Sequence, residues 1–162
     1  KNAAKFYQKG CELNDGLGCA RLGFVYTLDK NYQKSKELFL RACELKDGDG
    51  YYGLGLLYYD GNGVEQDTKK AKELFEKSCD IGHAAGCNSL GMMLHSEKYV
   101  EKDQKRASKL FTKACEMDFG DGCHNLGVIY FEAKGDKNLA KKYFGKSCEL
   151  GNDEDCQIYN GL

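Results

Sequence analysis

Residues 54–79 read LGLLYYDGNGVEQDTKKAKELFEKSC. The segment opens with Leu54-Gly55-x-x-Tyr58 and passes through the turn-forming run Asp60-Gly61-Asn62-Gly63-Val64. It then sets Ala71, Leu74, Phe75 and Ser78 at i, i+3, i+4 and i+7, the spacing of one buried stripe on an amphipathic helix. Asp67 stands four residues before that stripe and suits the N-cap, where a short side chain accepts from N–H groups the first turn leaves unpaired. These residues predict helix A, a glycine loop and a capped helix B.

The same order returns along the chain. Leu22-Gly23-x-x-Tyr26, Leu90-Gly91-x-x-Leu94 and Leu126-Gly127-x-x-Tyr130 repeat the first motif. Ser35/Leu38/Phe39/Ala42, Ala107/Leu110/Phe111/Ala114 and Ala140/Tyr143/Phe144/Ser147 repeat the stripe, behind Asn31, Asp103 and Asp136. Glycine inside a helix costs about 1 kcal/mol relative to alanine, so its return predicts a close approach of two helix backbones. The nine cysteines keep time with this pattern. Eight form pairs separated by eight positions: Cys11/Cys19, Cys79/Cys87, Cys115/Cys123 and Cys148/Cys156. Cys43 has Tyr51 where its partner is due. The first members, at 11, 43, 79, 115 and 148, are 32, 36, 36 and 33 residues apart. A step in the thirties marks a solenoid of helical hairpins. The array divides into a partial helix B over 1–14, repeats over 15–46, 47–82, 83–118 and 119–151, and a partial helix A over 152–162. Terminal repeats usually carry polar caps, so this pattern predicts a slice of a longer array.

Composition narrows the function. The chain has 162 residues, 41% of them hydrophobic, enough to bury a core. Lysine and arginine number 24 against 25 acidic residues, a formal net charge of −1, which argues against a nucleic-acid partner. No apolar run approaches the roughly 18 residues of a membrane helix, so no membrane insertion is expected.

The order Leu-Gly-x-x-Tyr, Gly-x-Gly-Val, Asp-x-x-Lys-Ala, Phe and Ala/Ser-Cys-Glu-Leu resembles the Sel1-like repeat, a relative of the tetratricopeptide repeat. The cysteine at the end of helix B, with another eight residues later, resembles the Helicobacter cysteine-rich proteins. The resemblance covers essentially the whole chain. It implies an all-α fold, an αα-hairpin solenoid wound as a right-handed superhelix, with export to the periplasm or beyond. It also implies one disulfide per repeat, pairing the cysteines eight apart and leaving Cys43 as a free thiol. Each bond would close the turn from helix B into the next helix A, and the chain-entropy model gives roughly 2.5 kcal/mol per bond as an upper figure. Reduced, buried cysteines and a zinc site are the alternatives. Against zinc stand the absence of a C-x-x-C knuckle and a total of three histidines, His83, His95 and His124. No metal and no cofactor is expected.

In a tetratricopeptide-like array the A helices line the concave face. With the Leu of Leu-Gly as position 7, position 5 gives Ala20, Tyr52, Asn88 and His124, and position 9 gives Phe24, Leu56, Met92 and Val128. Position 12 gives Thr27, Tyr59, His95 and Phe131. The expected ligand-binding residues are Tyr52, Tyr59, Asn88, Met92, His95, His124 and Phe131, with packing of the inner wall as the alternative. Some members of the resembling family are described as penicillin-binding or β-lactamase-like. The S-x-x-K signature is absent here, since Ser35, Ser78, Ser89, Ser96, Ser108 and Ser147 lack a lysine three residues on. Lys69, Lys70, Lys105, Lys109, Lys141 and Lys142 belong to the outer face of helix B, read as solubility against an anionic partner. The sequence therefore predicts an exported, disulfide-stapled, monomeric scaffold presenting a concave surface to a protein or peptide. That ligand is expected to be peptidoglycan-derived or a host protein. The rivals are a weak penicillin-type hydrolase and an assembly adaptor with reduced thiols.

Overall fold

The computed structural model describes residues 2–96, 103–132 and 135–162. Among them the chain is all-helical: α1 (Asn2–Glu12), α2 (Gly16–Leu28), α3 (Tyr32–Glu44), α4 (Gly48–Asp60), α5 (Thr68–Asp80), α6 (Ala84–His95), α7 (Gln104–Glu116), α8 (Gly120–Glu132), α9 (Lys137–Glu149) and α10 (Asp153–Gly161). It is an αα-hairpin solenoid in which the even-numbered helices are A helices and the odd-numbered ones B helices. Two compact units, Lys1–Gly86 and Cys87–Leu162, each follow the same hairpin plan.

Helix B starts where its cap is. Asn31, Asp67, Asp103 and Asp136 each accept from the backbone N–H three residues on, at Lys34, Lys70, Arg106 and Leu139. The same residues also fix the hairpin. Their own N–H groups donate to the carbonyls of Tyr26, Tyr58, Leu94 and Tyr130 at 2.8–2.9 Å, four residues after the leucine of Leu-Gly. One residue thus terminates the loop, begins helix B and sets its register on helix A.

The core confirms the stripe and corrects the reading of the glycine. Phe39, Phe75, Phe111 and Phe144 are buried together with Ala42, Ala71, Ala107 and Ala140. What approaches the Leu-Gly glycine is an aromatic ring from helix B of the same hairpin, not a second backbone. A Cβ built on Gly55 would lie 2.7 Å from Phe75 Cε1, and one on Gly91 2.7 Å from Phe111 Cε1. Backbones do approach at a different glycine, the one just before the second cysteine position. A Cβ on Gly50 would meet Ala42 Cβ at 2.5 Å and Ala42 C at 3.0 Å, and one on Gly122 the Cys115 nitrogen at 2.9 Å.

The turns from B into A all place the third residue after the helix-B cysteine in the left-handed region. Glycine serves at Gly82 and Gly151, but Asn14, Lys46 and Asp118 hold the same slot with φ of 60°, 57° and 56°. The turn therefore does not depend on glycine. Asn and Asp tolerate this conformation better than most residues, whereas Lys46 adopts it without that advantage.

Gly122→Ala should destabilise the fold by about 1–3 kcal/mol, because the methyl group meets backbone that has no room to move. Asp67→Ala should cost about 1 kcal/mol through the lost cap. Urea unfolding of the oxidised protein measures both, and a change below about 0.3 kcal/mol in either variant would contradict the packing or the cap described here.

Candidate functional site

Disulfides close the B-to-A turns. Cys11–Cys19, Cys115–Cys123 and Cys148–Cys156 are bonded across Cα separations of 4.4, 4.6 and 4.7 Å. Cys79 and Cys87 are also disulfide-bonded. Such bonds form and persist in oxidising surroundings. Cys43 remains a free thiol and packs with Tyr51 around Phe39, Leu54, Leu57 and Leu74. Burial, and after it the charge of Asp47, pushes this thiol up to about 12, so it is a poor nucleophile at neutral pH.

Where repeat 2 lacks its staple, a polar cluster in the first unit joins the middle of α2 to the start of α4 and the residue ahead of α6. Arg21 on α2 pairs with Asp49 on α4 at 3.1 Å, and Asp49 also bonds His83 just ahead of α6. His83 Nδ1 accepts from the Gly86 N–H, which caps α6 and leaves Nε2 to donate to Asp49. The hydrogen bond from His83, reinforced by the charge of Arg21, holds the Asp49 carboxyl below its usual range. Asp47 beside it is shifted the other way, mainly by burial. The sequence reading passed over this cluster because its members are 28 and 34 residues apart. One signal was available: His83 occupies the cap slot held by Asp47 and Asn152 before other A helices.

The expected ligand contacts separate into two groups. In the first unit Tyr52 is half-buried in an aromatic seam, 6.4 Å from Phe24, 5.8 Å from Phe75 and 5.2 Å from His83 between ring centroids. Tyr59 lies 6.5 Å from Phe75. Both tyrosines therefore pack as well as present an edge. In the second unit Met92 is 53% exposed and Phe131 44%. Asn88 corrects its assignment as a surface amide. It is only 5% exposed, its Oδ1 accepts from Asn125 Nδ2 at 2.9 Å, and its Nδ2 points at Met92 Sδ. Asn88 thus supports the face from behind, with α8 supplying the partner.

His95 is half-buried, and its Nδ1 has no hydrogen-bond partner among the described residues. His124 reaches inward to Asp155 at 2.8 Å and edges onto Phe144. Asp155 is fully buried and replaces the glycine that precedes the second cysteine position in Gly18, Gly50, Gly86 and Gly122. Lys70 is not simply solvated either, since its Nζ donates to the Tyr58 hydroxyl and lies 4.2 Å from that ring's centroid. Among the described residues no group of three or more His, Cys, Asp or Glu could hold a metal ion. No helix there is long and apolar enough to cross a membrane.

Stacked, capped hairpins with a ring seated on a helix-A glycine define a tetratricopeptide-like repeat protein. Within that class, the chain belongs to the Sel1 repeat family: the Sel1 repeat model matches residues 1–15, 17–47, 48–83 and 84–119, and a tetratricopeptide repeat model matches 120–153. No curated protein matches it. Among solved structures it is 38% identical to Helicobacter pylori cysteine rich protein B, with a TM-score of 0.63 over 76% of this chain and 91% of that one. It is 25% identical, with a TM-score of 0.81, to a protective antigen present in uropathogenic Escherichia coli strains, covering 98% of this chain and 36% of that one. A Sel1 repeat protein from Oxalobacter formigenes shares the fold at 23% identity and a TM-score of 0.82, over 94% of this chain and 65% of that one. The chain thus spans about a third and just under two thirds of the last two. Sel1 repeats build protein-binding scaffolds.

Because Asp49 ionises at lower pH folded than unfolded, its contribution is fully present above the ordinary value of 3.8 and is lost as pH falls through the lower folded value. The stability gap between wild type and Asp49→Asn should therefore close on acidification from pH 7 to pH 2. A gap that widens would contradict the clamp. Peptide mass mapping of unreduced protein should find bonds between cysteines eight apart, with Cys43 alkylated only after unfolding. A bond joining different turns would break the register.

Proposed function

We propose that the chain is an exported scaffold, held rigid by its disulfides, whose A helices present an uncharged binding surface to a peptide or protein. Met92 and Phe131 carry this reading: both are large, apolar and exposed, on helices whose neighbours Leu90, Met93, Leu126 and Ile129 are buried. Helix α6 has no Asp, Glu, Lys or Arg at all. Such a surface favours apolar side chains and uncharged backbone over charged ligands. In the first unit Tyr52 and Tyr59 offer amphipathic edges of the same kind, held in place by the aromatic seam. The oxidising surroundings that the disulfides need, together with the likeness to Helicobacter pylori cysteine rich protein B, support a periplasmic or secreted location. There the partners within reach are cell-wall peptides and host proteins.

A photo-crosslinking side chain at position 92 or 131 should capture a discrete peptide or protein from periplasmic or host material, and one at Glu73 on helix B should not. With that ligand purified, Tyr59→Ala and Phe131→Ala should each weaken binding by about 1–2 kcal/mol. Capture confined to position 73 would overturn the assignment.

A further inference from the structure

Charge is nearly balanced over the chain but not over its elements. Helices α7 (QKRASKLFTKACE) and α9 (KNLAKKYFGKSCE) each hold four basic residues and one acidic residue. Helix α5 of the first unit (TKKAKELFEKSCD) holds four and three. The contrast is sharpest six residues before the helix-B cysteine, where Glu37 and Glu73 give way to Lys109 and Lys142. The repeat itself therefore does not require lysine there.

The substitution has a physical cost. In α5, Glu73 stands four residues before Lys77, an attractive pair. In α7, Lys105, Lys109 and Lys113 succeed one another at four-residue steps, and in α9 Lys137/Lys141 and Lys142/Lys146 do the same. Like charges at this spacing oppose helix formation. The C-terminal end of α9 reaches that of α7, because Lys146 Nζ donates to the Cys115 carbonyl at 2.9 Å and pairs with Asp118 at 3.2 Å. Lys146 is thus committed within the fold. Lys105, Lys109, Lys137 and Lys142 are exposed, and equivalent buried stripes turn the outer faces of α7 and α9 the same way.

We propose that this outer face binds a linear acidic polysaccharide. A polyanion relieves the repulsion between the lysines and gains entropy by releasing its own condensed counterions, the principle by which nucleic acids bind basic faces. Seven of the eight basic residues are lysine, compact point charges suited to reading charge density, in contrast to arginine forks that grip one phosphate. Neither outer face carries an exposed large apolar side chain, so the wedge of a membrane-surface helix is missing. Disulfides that need oxidising surroundings separate the protein from cytosolic nucleic acid. The proposal is independent of the A-helix surface.

Heparin and alginate are the probes, titrated against the full oxidised chain at 50 and 200 mM salt. Both should bind, more weakly at the higher salt. Lys109→Glu/Lys142→Glu restores the residue that α5 carries and should weaken binding at least tenfold. Lys5→Glu/Lys69→Glu makes the same change in net charge elsewhere and should weaken it less than threefold. Circular dichroism checks the fold, and Lys109→Gln/Lys142→Gln serves if the charge reversal prevents folding. The proposal is overturned if neither polymer binds at 50 mM salt, or if both lysine pairs weaken binding equally. It is also overturned if phosphatidylglycerol vesicles bind this face more tightly than either polymer, which would make it a membrane-contacting surface.

Discussion

Each hairpin depends on one contact: a phenylalanine ring of helix B lying against a helix-A residue that has no side chain. The ring fills the space a Cβ would occupy, as at Gly55 under Phe75 and Gly127 under Phe144. This brings the two helices close enough for the N-cap residue of helix B to reach the helix-A carbonyl four residues after the leucine. The contact also explains how so small a repeat buries large aromatics completely. Phe39, Phe75 and Phe111 are among the largest fully buried side chains. The glycine penalty in helix A is offset by the apolar area the ring removes from water.

Local features were legible in the sequence because their causes lie within one turn of helix. Asn31, Asp67, Asp103 and Asp136 sit at a fixed offset from the buried stripe, and all four cap. The cysteine period marked the turns for the same reason. The glycine of Leu-Gly was recognised as a close approach, but a helical period does not say what approaches. Asn88 was assigned to a surface by its angle on α6, and only α8, which supplies Asn125, makes it a buried partner. The Arg21–Asp49–His83 cluster and the burial of Asp155 against His124 depend on residues from different repeats. No spacing rule within one repeat contains them.

The candidate surfaces differ in how they are held. On the A side, aromatic edges and Met92 rest on a packed layer, so their positions are set before any ligand arrives, which lowers the ordering cost of binding. On the B side of α7 and α9, lysines stand on long flexible stems above a rigid stripe. The first arrangement suits recognition of shape, and the second suits recognition of charge. One repeat supports both because its two helices face different surroundings.

The bonding pattern of the turns also governs what happens when the backbone is nicked. A single cut between Cys11 and Cys19, or inside either of the bonded turns 115–123 and 148–156, leaves the chain one covalent molecule. A cut between Cys43 and Tyr51 divides it in two, because Cys43 is a free thiol and no disulfide closes that turn. In surroundings rich in proteases, the absence of one cysteine therefore adds this B-to-A turn to the unbridged A-to-B loops as a place where the array can be severed.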